Sequence, residues 1–146
     1  MSLRLWEKAV NILVSGKVNT KRLEVNGNEG LIHVPVALSA TDATRNVYIA
    51  TRPVILKAVS RTHTTASTSG TLQLEKCTGT TAPGSGTVLL TATVSLAGAA
   101  NTVVSGTVLA TPDTIKLATG DRLGIVIAGT MTSLVGGIAT ITLAPA

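Results

Sequence analysis

From about residue 47 onward the chain repeats one pattern: a short apolar alternation, then Gly, Pro, Asn or Asp, then another alternation. Such regular punctuation is the signature of an all-β sandwich or barrel. Strands are expected in "VYIATRPVILKAVS", broken at Pro53, then in "TLQLEKC", "TVLLTATVSL", "TVVSGTVLA", "TIKLA", "RLGIVIAG" and "GGIATITLA". Counting the first as two gives about eight strands, the number of a jelly roll. Alternation is clearest in Thr71–Glu75, where Leu72 and Leu74 point one way and Thr71, Gln73 and Glu75 the other. Pro53 has no N–H to give to a ladder, so it belongs at an edge or bend.

The side chains that must fill this sandwich are unusual. Phe is absent, and Trp6 and Tyr48 stand alone. Aromatics normally supply much of a core's buried area. Here the load falls on aliphatics, with β-branched residues expected to carry it because they suit pleated sheets. Only 13% of residues are charged. Either other subunits cover much of the surface, or Thr and Ser hydroxyls solvate it.

Residues 1–46 read as a separate N-terminal arm, and 47–146 as the β-sandwich domain. Leu3, Trp6, Val10 and Leu13 have helical spacing, which predicts a short amphipathic helix. "VNGNEG" at 25–30 is turn material. "LIHVPVAL" is an apolar run with Pro35 at its middle. That composition favours an extended arm lying on something else over an ordinary edge strand.

The sequence carries few marks of chemistry. The formal charge is +5, but Lys and Arg are scattered and only Lys21 and Arg22 are adjacent. A nucleic-acid binder would show a basic stripe and, for single strands, stacking aromatics. No nucleic acid is therefore expected. The N-terminal apolar stretch is short and interrupted by Asn11, so it suggests neither a signal peptide nor a membrane span. Cys77 is the only cysteine, which forbids an intramolecular disulfide. His33 and His63 are the only histidines, and no metal-ligand spacing, phosphate loop or Gly-x-Ser-x-Gly elbow occurs. No metal, cofactor or enzymatic activity is expected.

Asp113 and Asp121 are the one close acidic pair of the β region. In "IKLATGDRLGIVIAGT" the Gly-Asp-Arg corner has no catalytic company. Gly120 is expected at positive φ, and Asp121 is expected to bond local backbone. Lys76 and Cys77 alternate to opposite faces, so Cys77 reads as a buried or interfacial thiol.

Three stretches together carry a resemblance: "YIATRPVILKAVS", "LEKCTGTTAPGSGTVLLTATVSLAGAANTVVSGTVLA" and "IKLATGDRLGIVIAGTMTSLVGGIATITLAPA". Over about residues 47–146 the chain resembles the small β-sandwich structural proteins of tailed-phage virions, especially capsid decoration (cement) and head-fibre proteins. Its Leu-x-x-Gly-Asp-x-Leu hairpin, Leu117 to Leu123, is also similar to trimeric jelly rolls of the tumour-necrosis-factor and complement type. The resemblance implies a jelly roll, a homotrimer, and a place on the capsid exterior against a major capsid protein. Residues 1–46 match nothing in that family, whose members commonly anchor through N-terminal segments. The capsid-binding arm is then expected to use Leu3, Arg4, Trp6, Val10, Leu13, Lys21, Arg22, Leu31, Ile32 and Val34. Trp6 leads, because Trp is enriched at interface hot spots. The alternative is a receptor- or glycan-binding fibre module, for which the shortage of aromatics is unfavourable.

Overall fold

The structure, a computed structural model, describes residues 30–146. Ten strands and one helical turn follow in order: β1 Ile32–Leu38, β2 Arg45–Ile49, β3 Val54–Thr62, β4 Thr71–Cys77, β5 Thr87–Val88, β6 Val94–Ser95, β7 Val104–Gly106, α1 Pro112–Ile115, β8 Lys116–Leu117, β9 Arg122–Ala128 and β10 Gly137–Pro145. All pairings are antiparallel. One sheet, here sheet A, runs β1-β10-β3-β7, with β8 also on β3; sheet B runs β2-β9-β4-β5, with β6 also on β4.

β5 and β6 occupy one position beside β4, and β7 and β8 one position beside β3. The ten segments therefore fill eight places, four per sheet, and the chain repeatedly crosses between the sheets. That is jelly-roll alternation. The two interrupted places correspond to "TVLLTATVSL" and to the pair "TVVSGTVLA" and "TIKLA". In each, only two or three residues keep ladder geometry. In the last, Pro112 opens a helical turn just ahead of β8. Pro53 stands in the crossing from β2 in sheet B to β3 in sheet A, where no ladder N–H is needed.

The arm boundary near residue 46 is not where the sandwich begins. Leu31–Ala146 form one compact unit. β1 pairs with β10 along its whole length, from Ile32↔Leu143 to Leu38↔Gly137. The physical reason is period-two patterning. Ile32, Val34, Val36 and Leu38 turn toward the core, while His33, Pro35 and Ala37 turn outward. Pro35 is tolerated because β1 is an edge with a neighbour on one side only.

The core is leucine. Of the twelve largest fully buried side chains ten are Leu and two, Ile125 and Ile141, are Ile. The expectation that β-branched residues would dominate burial is corrected on that point. Leu has the greater reach across a gap of about 10 Å between sheets. No aromatic ring is fully buried among the described residues; Tyr48 packs against the core while half-buried.

Candidate interaction surface

Each sheet has an outer face, and the two are finished differently. On sheet A the register sets outward residues in three rows. Ala37, Ile138 and Thr62 form one; Pro35, Thr140, Ser60 and Ser105 the second; His33, Thr142 and Ala58 the third. None is Lys, Arg, Asp or Glu. The face is methyl groups, hydroxyls and one imidazole, whose Nδ1 lies 3.2 Å from Thr142 Oγ1. Val103 (69% exposed) and Ile138 (42% exposed) stand above it. Between them lies a shallow depression of about 150 Å³ over Ser60, Thr62 and Thr140. Charge appears only toward the β8 end, with Lys57 and Lys116. Lys57 is the extra residue of a bulge between Leu56 and Ala58, which leaves it without a partner on β10.

On sheet B the loop 78–86 folds back over the outer face. Glu75 is buried at 7% exposure, and its Oε2 accepts the N–H groups of Gly84 (2.8 Å) and Gly86 (3.0 Å). Arg122 Nη2 donates to the carbonyls of Gly79 and Thr81, both at 2.8 Å. Pro83 sits on Gly124, where an added Cβ would meet the ring at 3.0 Å. A side chain at 124 would crowd Pro83 and Cys77 Sγ by a few tenths of an ångström. Under this cover lies Cys77, fully buried. Burial pushes its thiol above the ordinary range, the Glu75 charge adds to this, and Arg122 opposes it. That is the reverse of an activated nucleophile.

Lys76 turns to the opposite side of β4, and its Nζ donates to the carbonyls of Asp113 and Lys116, each at 3.1 Å. It thereby satisfies carbonyls at the end of α1. The close acidic pair of the β region has separate surroundings: Asp113 is in the first turn of α1 and Asp121 at the β8–β9 corner. Gly120 has φ +91°; Asp121 N–H donates to the Ala118 carbonyl (3.0 Å), and Asp121 Oδ2 accepts the Ala118 N–H (2.8 Å). The corner is then tied to the end of β2, Gly120 N–H to Ala50 O (2.7 Å) and Ala50 N–H to Asp121 O (2.8 Å). Asp121 is a turn residue. Among the described residues, no three His, Cys, Asp or Glu side chains converge as metal ligands would. No helix among them is long and apolar enough to cross a membrane.

Of the residues expected to bind a capsid, Leu3, Arg4, Trp6, Val10, Leu13, Lys21 and Arg22 lie outside the described residues. Leu31 lies just ahead of β1, half-buried, and Ile32 and Val34 are packed against the sandwich core. Those last two side chains serve their own domain. The outer face of sheet A escaped the sequence reading, although its signal is there. In "LIHVPVAL" and "GIATITLA" every outward position is uncharged.

Comparison with known proteins adds little. No family model and no curated protein matches the chain. One solved structure is similar, from work entitled "Bacillus endospore appendages form a novel family of disulfide-linked pili". It is 15% identical, with a TM-score of 0.39, over 79% of this chain and 84% of that one. The chain folds as an all-β, two-sheet antiparallel sandwich.

Proposed function

We propose that this is a structural protein of a virion, a homotrimer that decorates the capsid exterior and stabilises it against the major capsid protein. The observation that carries the reading is the unfinished outer face of sheet A. Ten outward residues on four adjacent strands carry no Lys, Arg, Asp or Glu, while on the opposite sheet the end formed by Glu75, Cys77, Arg122 and Gly124 is covered by the loop 78–86. Copies joined through sheet A remove methyl-rich surface from water at about 25 cal/mol per Å². No charge has to be desolvated, which is the usual penalty at an interface. Three joined copies then present three capsid contacts, and linkage raises the effective concentration of each. With β1 inside the sandwich, the capsid contact falls to residues 1–30, with Trp6 as its apolar anchor and Arg4, Lys21 and Arg22 steering toward acidic surface. The protein works by adhesion and not by turnover.

The test is removal of residues 1–30. The truncated protein is expected to keep its oligomeric mass in light scattering and to lose binding to capsids that lack the protein. Full decoration by the truncated protein contradicts the assignment of the capsid contact. A cut at residue 46 is unsuitable, because it deletes β1 and the start of β2.

A further inference from the structure

Arg61 points into the sandwich and is 3% exposed, yet no carboxylate among the described residues pairs with it. Its Nη1 lies 3.1 Å from His63 Nδ1, and its Nε has no partner among the described residues. A guanidinium only donates. Nδ1 must therefore accept, and His63, 1% exposed, carries its proton on Nε2. That Nε2–H donates to the carbonyl of Gly98 at 3.1 Å. The Asn101 N–H donates back to the carbonyl of His63 at 2.7 Å. The loop Ala97–Asn101 is thus held over the end of the sandwich by one neutral imidazole and its backbone. The loop passes close to the guanidinium here: a Cβ at Gly98 would stand 2.9 Å from Arg61 Nη2.

We propose that Arg61 and His63 form an acid-sensitive latch on the loop Ala97–Asn101. A proton on Nδ1 turns the acceptor into a second donor. It also sets an imidazolium against a guanidinium where little water can screen them. Among the described residues no carboxylate is at hand to absorb the charge: 64–69, 97–103 and 133–138, the segments around His63, contain no ionisable side chain. The strand end carrying His63 moves to part the cations, and both bonds to the loop go with it. The latch also touches assembly, because Val103, beside the depression on sheet A, lies two residues beyond this loop. The latch itself is internal to one chain and stands whether or not copies associate.

Amide hydrogen exchange on the full chain, from neutral to mildly acidic pH, tests it. After correction for intrinsic rates, Asn101 protection in the wild type is expected to fall about tenfold or more. Ala50, bonded to the Asp121 carbonyl, is expected to hold its protection. His63→Gln offers an acceptor to Arg61 and a donor to Gly98 without titrating, so its Asn101 protection should not respond to acid. Arg61→Met removes the second cation at similar volume and should abolish the response too, which covers the case in which the Gln variant does not fold. An equal fall in wild type and either folded variant overturns the proposal. So does an imidazole that takes up its proton, by its ring nitrogen signals, with Asn101 unchanged, or simultaneous loss of protection at Asn101 and Ala50.

Discussion

Sheet A and sheet B are built alike and finished differently. Each has four strand places and sends leucines into the same core. On sheet B, Glu75 and Arg122 bind main-chain groups of the loop 78–86, which covers that end of the outer face and Cys77 beneath it. On sheet A the corresponding surface is Thr, Ser, Ala, Pro, His and Ile, with no such cover among the described residues. A chain with few charges has placed two of them where they close one side upon itself. The lesson is that a low charge count matters less than where the charges sit. One side spends its charges on its own loop, and the other presents an uncharged face.

The strongest way to break this contrast is a charge at the centre of sheet A. Thr140→Glu should weaken self-association by about 3–5 kcal/mol, more than a hundredfold, because an uncompensated charge would be buried at the joint. Gln73→Glu, on the outer side of sheet B, should leave the association constant from sedimentation equilibrium unchanged.

Next in size is the seal. Glu75→Gln replaces two charge-assisted bonds with weaker ones and should cost about 1–2 kcal/mol in urea unfolding. It should also speed modification of Cys77 by a thiol reagent while leaving the oligomer intact. Faster modification without a stability loss would mean that the loop is not held by Glu75.

Cys77 supplies a pH test of the same seal. Its folded-state thiol is raised above the unfolded value by burial. The stability tied to the neutral thiol is therefore present below the unfolded value, roughly 8.5, and is lost as pH rises through the folded one. Unfolding free energy should decline with alkaline pH in the wild type, and less steeply in Cys77→Ala.

The smallest effect is expected at the corner. Asp121→Asn should cost about 0.5–1.5 kcal/mol from the weakened bond to the Ala118 N–H. Self-association should be unaffected. Impaired assembly with unchanged unfolding would assign the corner a binding role.

These residues also mark what could be read in advance. The Gly120–Asp121 corner and the opposed faces of Lys76 and Cys77 follow from local rules, turn chemistry and period two, and both were legible. β1 was not placed, because its partner β10 is about a hundred residues away and Pro35 masks a clean alternation. The seal was illegible for a related reason. Pro83-Gly84-Ser85-Gly86 reads as a turn, but nothing local says that Glu75 will reach its amides. Arg61 gave no sign either, since only the folded register turns it inward next to His63. The uncharged face of sheet A lies between these cases: each strand shows its outward residues, but only the pairing brings them together.

The central claim is that copies of this chain join through the outer face of sheet A. Light scattering on size-separated wild type and Thr140→Glu addresses it most directly. The account predicts three times the 14.8 kDa chain mass for the wild type and a single chain mass for the variant, with the same strand content in both. A wild type that runs as one chain, or a variant that stays trimeric, contradicts it.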